Sequence, residues 1–113
     1  MSVSPDFRAF VEDQLGRIVK LRSRAMFGGV GLYADDLFFA LIDHDILYFK
    51  VDDATRGRYE ARGMTAFQPD GMAAMAYCRV PTGALEDADE LRGWAEEAVE
   101  VARRAKGGGK RRA

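Results

Sequence analysis

Residues 26–53 read MFGGVGLYADDLFFALIDHDILYFKVDD, and this stretch decides the fold. Leu37-Phe38-Phe39-Ala40-Leu41-Ile42 is apolar on both parities of a two-residue count. Asp43-His44-Asp45 interrupts it, and Ile46-Leu47-Tyr48-Phe49-Lys50-Val51 follows. Runs this short, rich in Phe, Tyr, Ile and Leu and bounded by Asp, are strands rather than helices. Asp35-Asp36 and Asp43-His44-Asp45 are short enough to close hairpins. The stretch therefore predicts an antiparallel meander with strands over 22–33, 37–42 and 46–51. Within the first strand, Gly28, Gly29 and Gly31 predict a bulge or sharp bend. A phosphate cradle would need the glycines to open a helix, and here they lead into Leu32-Tyr33 and more strand.

Working outward, Ser4-Pro5-Asp6 starts a helix: Ser4 caps, Pro5 suits the first turn, and Asp6 complements the positive end of the dipole. Phe7, Phe10, Val11 and Leu15 share a helical face, and Gly16 is the expected left-handed stop. After the meander, Asp52 or Asp53 can cap a second helix over 54–62, stopped by Gly63. Pro69-Asp70-Gly71 should turn between short strands over 65–68 and 74–80, and Pro81-Thr82-Gly83 ends the sheet. Asp87 with Glu90 three residues on opens a last, long helix whose Leu91, Trp94, Ala98 and Ala102 repeat at helical spacing. Gly107-Gly108-Gly109 is its expected stop. The predicted organisation is one α+β domain over 1–106, in the order α-β-β-β-α-β-β-α with an antiparallel sheet, and a flexible basic tail over 107–113.

The pieces of this pattern resemble a known family. Met26-Phe27-Gly28-Gly29-Val30-Gly31-Leu32-Tyr33, then Phe39–Ile42, then Leu47–Arg56, Gly63, Phe67, Ala76-Tyr77, Leu85-Glu86-Asp87 and Trp94 look like the N-terminal domain of the TfoX (Sxy) family. Its members are bacterial regulators of competence genes. The resemblance spans roughly 7–105, with Met26, Phe27, Gly28, Gly29, Gly31 and Tyr33 as its structural motif. It implies a two-layer α+β fold similar to secretion chaperones and a role in regulating transcription. Full-length regulators carry a second domain, which has no counterpart in these residues.

Composition narrows the chemistry. The chain has 113 residues, 17 Lys and Arg, 18 Asp and Glu, and a formal net charge of −1, which argues against a dedicated nucleic-acid binder. From Arg103 onward six Lys or Arg occur with no acid, yet no aromatic accompanies them for base stacking. No apolar run reaches the ~20 residues needed to span a bilayer, and the single cysteine fits a cytoplasmic setting.

Candidates for chemistry are few. His44, the only histidine, stands at a hairpin tip, where a solvated turn residue is the expectation. Cys78 has no partner and is expected to be a small buried strand residue. No nucleophile–base pair, metal-ligand set or cofactor signature can be assembled, so no catalysis, metal or cofactor is expected. Lys50, Asp52 and Arg56 form the densest charged group in the motif and are the candidate contacts for a ligand or partner. The simpler reading is that Asp52 caps a helix and makes a local ion pair.

The remaining candidates are Phe38 and Phe39. Strict alternation would place Leu37, Phe39 and Leu41 on one sheet face, and Phe38, Ala40 and Ile42 on the other. One helical layer covers only one face, so the second predicts an exposed apolar patch. The expected function is a non-enzymatic protein-interaction module, working as a homodimer or with a protein partner. A small-molecule-binding protein or minor enzyme built on Lys50, Asp52 and Arg56 is the alternative.

Overall fold

The computed structural model describes residues 3–26, 28–69, 71–81 and 83–111, with side chains through residue 106. The elements are α1 (Pro5–Gly16), β1 (Leu21–Met26), β2 (Gly29–Ala34), β3 (Leu37–Asp43), β4 (Ile46–Lys50), α2 (Asp53–Glu60), β5 (Tyr77–Arg79) and α3 (Ala88–Arg111). A 3-10 turn, Ala84–Glu86, precedes α3. The five strands form one antiparallel sheet in the order β1-β2-β3-β4-β5, as the α+β reading requires.

The predicted first strand is two strands. Met26 pairs with Gly29, so β1 and β2 are antiparallel partners joined by a tight reversal. Gly28 takes φ 81° there, which a residue without Cβ adopts at little cost. Phe27 lies outside the described residues. Gly29 and Gly31 then run in β2 without positive φ. The expected bulge in this strand is thus a hairpin turn at Gly28, followed by ordinary extended backbone. The Asp-rich hairpins fall as predicted. His44 and Asp45, at φ 52° and 57°, make the two-residue β3–β4 reversal, and Asp35 at φ 57° opens the one between β2 and β3. Both positive angles at His44-Asp45 suit the twist of the flanking strands.

A bulge occurs elsewhere and decides which side chains are inside. Leu32 pairs with Ala40 but Tyr33 with Phe38, leaving Phe39 as the extra residue in β3. The extra residue shifts the side-chain alternation by one. Leu37, Phe39, Ala40 and Ile42 are all buried, while Phe38 and Leu41 lie half-buried on the opposite face. The expected grouping of Leu41 with Phe39, and of Phe38 with Ala40 and Ile42, is corrected by that one residue.

The helices cover the face carrying Leu32, Phe39, Ile42, Leu47 and Phe49. Helix α3 lies across β3 and β4, α1 against β1, and α2 beside β5. Val11 and Leu15 of α1, Tyr59 of α2, and Leu91, Trp94 and Ala98 of α3 close the core. Ser4 caps α1, its hydroxyl accepting from the Phe7 amide at 3.2 Å. Glu12 ties α1 to β1: its Oε2 accepts from Ser23 Oγ at 2.6 Å and Arg8 Nε at 2.9 Å. The Ser23 hydrogen bond, ahead of Arg8, holds that carboxyl below the usual range.

Three helix ends differ from expectation. Helix α1 closes through Arg17 in right-handed geometry, so Gly16 is not a left-handed stop. Gly63 does turn left-handed, φ 77°, but after α2 has ended at Glu60. Helix α3 runs to Arg111, through the three glycines. Each glycine costs about 1 kcal/mol in a helix relative to Ala without forbidding the conformation. Arg112 and Ala113, the end of the expected tail, lie outside the described residues. The expected strand pair after α2 reduces to β5 and a single bridge between Ala66 and Cys78. Asp70 and Thr82, each in an expected turn, are also outside the described residues.

Two buried polar atoms are unpaired among the described residues. The Tyr59 hydroxyl and Glu97 Oε1 are buried without a hydrogen-bond partner among the described residues. Burial, and then the Glu97 charge, push the Tyr59 hydroxyl far above its ordinary pKa. Removing an unsatisfied buried hydroxyl removes a desolvation penalty. Tyr59→Phe should therefore match or exceed the wild-type melting temperature in a calorimetric scan.

Candidate functional site

The helices leave the second sheet face uncovered. Strand alternation and the β3 bulge place Arg22, Arg24 and Met26 of β1 on this outer face, with Gly29, Gly31 and Tyr33 of β2. Phe38, Leu41 and Asp43 of β3 join them, then Ile46, Tyr48 and Lys50 of β4, and Tyr77 and Arg79 of β5. The face is aromatic. Tyr33 stacks on Phe38 with ring centroids 5.1 Å apart, and Phe38 meets Tyr77 at 5.6 Å.

The segment between α2 and β5 raises one wall over this face. Phe67 packs on Tyr48 at 4.8 Å between centroids, held in place because its amide donates to the Tyr77 carbonyl. Met72 and Met75 stand beside it, both exposed. Wall and sheet enclose an open groove of about 820 Å³, lined mainly by Met26, Phe38, Leu41, Ile46, Tyr48, Phe67, Met72, Met75 and Tyr77. Asp43, His44 and Gln68 supply polar groups to its lining. His44 Nδ1 lies 2.9 Å from Asp43 Oδ2, and both are on the hairpin that ends the floor.

The glycines shape the floor. A Cβ on Gly31 would lie 2.7 Å from Met26 Cε and 3.2 Å from Phe38 Cε1, so the absent side chain is the space those two occupy. Burial pushes the Tyr77 hydroxyl up to about 12, with Tyr33 adding to the effect. Burial, and then the Asp43 charge, raise Tyr48 as well. Both phenols stay neutral donors at physiological pH.

A smaller hollow of about 400 Å³ lies between α1 and β1, beside Glu12, Lys20 and Ser23. Glu12 and Ser23 there are already bonded to each other, which leaves little for a ligand.

The charged candidates do not form one site. The Lys50 ammonium sits 5.0 Å from the centre of the Tyr77 ring on the outer face. Asp52 caps α2, accepting from the Thr55 amide at 3.0 Å, and binds Arg104 of α3 at 2.9 Å. Arg56 pairs with Asp53 at 3.3 Å. No hydrogen bond or ion pair joins Lys50, Asp52 and Arg56 among the described residues. Of the two phenylalanines, Phe38 lies in the groove and Phe39 is fully buried in the core. Cys78 is buried, and burial raises its thiol pKa.

Asp52 therefore has a structural role with a readable pH dependence. The Arg104 hydrogen bond, above all, holds its carboxyl below the ordinary range. A carboxylate depressed in the folded state contributes stability above its unfolded pKa and loses it as pH falls through the folded one. Asp52→Ala should cost about 1 kcal/mol at neutral pH through the lost cap. Its deficit against wild type should shrink below about pH 4, measured by urea unfolding at several pH values.

Among the described residues no group of three or more His, Cys, Asp or Glu is placed to hold a metal ion. No described helix is long and apolar enough to cross a membrane.

One helical layer, a five-stranded antiparallel sheet and a bare aromatic outer face define a small two-layer α+β domain. Comparison with protein families gives its family: the chain matches the TfoX N-terminal domain over residues 13–102 and belongs to that family. At a coarse level it is a domain of the competence-related regulatory class. No curated protein matches it.

The elements that build the groove wall were not recognised as site residues from the sequence. Phe67, Met72 and Met75 lie well beyond the strands they face, on a segment expected to form two short strands and the turn between them. The signal that could have found them is the excess of apolar and Met side chains in a stretch with no strand alternation.

Proposed function

We propose that the chain is a non-enzymatic regulatory module that acts through protein partners and meets them with its outer sheet face. One observation carries this reading: the groove is open, broad and apolar, with Met26, Met72 and Met75 along its margins. Soluble proteins rarely leave such patches unless they bind something, and methionine adapts to irregular partners. Burying one large apolar side chain is worth roughly 1.5–3 kcal/mol, so a few contacts suffice for association. The partner is another protein or a second copy of the chain, in a cytoplasmic setting where competence-type regulators work.

Affinity capture from the native cytoplasm tests this, with wild type and Leu41→Asp as baits. Leu41 lines the groove, so its variant should keep the wild-type melting temperature within a few degrees and lose the wild-type partners. A variant that retains the same partners contradicts the reading.

A second reading rests on the concavity itself. A volume of about 820 Å³ is within the range of small-molecule sites, and Tyr48, Tyr77 and Gln68 offer a few polar groups to an otherwise apolar wall. Native mass spectrometry separates the two. A bound adduct of constant mass, lost in Leu41→Asp, would favour a small apolar ligand over a protein.

A further inference from the structure

The charges around the groove are uneven. Nine described cations, Arg8, Arg17, Arg56, Arg58, Arg62, Arg92, Arg103, Arg104 and Lys106, each meet a carboxylate. Seven of them lie on the helices, and Arg17 and Arg62 lie just past the ends of α1 and α2. The cations of the outer sheet face do not: Arg22, Arg24, Lys50 and Arg79 have no described carboxylate partner. Lys20, the remaining described cation of this kind, lies off this face at the α1–β1 hollow. Arg22 and Arg24 stand exposed on the β1 rim, two residues apart and facing the same way. Ser23 between them points the other way, to Arg8 and Glu12 of α1. Lys50 and Arg79 stand on the β4–β5 side. Asp43 is the one described carboxylate on the groove floor.

Dimensions point to the shape of an occupant. From β1 to β4 the floor spans three strand spacings of ~4.8 Å, roughly 14 Å. An α-helix with its side chains is about 10–12 Å across. Arg22 and Arg24, two positions apart on a strand, are separated by roughly 6.8 Å. One helical turn repeats every 5.4 Å, a comparable step. Two acids a turn apart on a helix can therefore meet both arginines while its apolar face enters the groove.

We infer that the outer face receives an amphipathic α-helix of a partner protein, with its apolar stripe in the Phe38–Leu41–Tyr48 groove and acidic flanks on Arg22, Arg24, Lys50 and Arg79. This rests on the protein-module reading above and adds the chemistry of the partner. A second copy of this face is disfavoured as occupant, because two-fold docking would set unpaired arginines and lysines against each other. A single nucleic-acid strand could also use aromatics and cations, but Tyr77 is buried and the groove wall limits flat stacking on Tyr48.

Selection from a displayed library of random helical 16-residue peptides, using the full chain as target, tests this. The enriched peptides should share an apolar repeat at i, i+3, i+4 and i+7 and carry net negative charge. Measured by fluorescence anisotropy, one such peptide should bind Arg22→Glu/Arg24→Glu at least roughly tenfold more weakly than wild type, and its affinity should fall with salt. Both arginines are exposed on an edge strand, so the double variant should melt with wild type. Enriched peptides that are neutral, basic or non-helical would overturn the inference, as would binding unchanged in the double variant. So would displacement of the peptide by a low-micromolar single-stranded oligonucleotide, which would assign the face to nucleic acid. If acidic helices fail while Leu41→Asp still loses its cellular partners, the module reading stands and the acidic-helix inference falls.

Discussion

Phe39→Asp should abolish folding, whereas Phe38→Asp, one residue away, should leave the domain folded. Phe39 is fully buried, its ring 5.9 Å from that of Phe49, within the layer closed by the helices. Truncating a buried Phe costs about 3–5 kcal/mol. Placing an unpaired carboxylate there costs several more, unless it takes up a proton. Together these approach the roughly 5–15 kcal/mol that holds a whole domain. Phe38 is half-buried on the outer face and contacts Tyr33 and Tyr77, so its charged variant meets water and loses only stacking and surface burial. Far-ultraviolet circular dichroism and thermal melting separate the outcomes. Two folded variants, or two unfolded ones, would mean that the bulge at Phe39 does not divide the faces as described.

Gly29→Ala should be the most damaging of the glycine substitutions in β2. A Cβ at Gly29 would lie 2.6 Å from the Ile42 carbonyl oxygen, a backbone atom fixed in the centre of the sheet. Relieving that overlap requires β2 and β3 to separate, and overpacking of this kind costs typically 1–3 kcal/mol. Gly31→Ala should cost less, because its nearest obstacle is the flexible end of Met26. Urea denaturation should rank the two variants in that order. Equal stability in Gly29→Ala and wild type would show that the strands have room to give. The cause is close approach rather than positive φ, since neither glycine has a left-handed backbone.

The sequence made some of this plain and hid the rest, for physical reasons. Acidic turn residues marked the β2–β3 and β3–β4 reversals because Asp and His tolerate positive φ and interrupt apolar runs. The β1–β2 reversal was concealed: Phe27 reads as strand, and one glycine at Gly28 is enough to turn the chain. The β3 bulge was invisible because every residue from Leu37 to Ile42 is apolar, so no polar position betrays a shift in alternation. That is why Leu41 was assigned to the wrong face. An uncovered second face was legible from the elements themselves, since one helical layer cannot cover both sides of a sheet. Its conversion from a flat face into a groove was not, because the wall arrives from Phe67, Met72 and Met75 far along the chain. The grouping of Lys50, Asp52 and Arg56 came from closeness in sequence. The strand end at Lys50 and the helix start at Asp53 send their side chains to different surfaces.

The outer sheet face is proposed as the contact surface. The most direct measurement is an amide nitrogen–proton NMR spectrum of the isotope-labelled chain, recorded alone and with the partner recovered by affinity capture. Shifted or broadened amides should cluster at Gly31, Tyr33, Leu41, Tyr48 and Tyr77, while those of α1 and α3 stay in place. Changes confined to the α1 and α3 surface, with the groove residues unmoved, would contradict it.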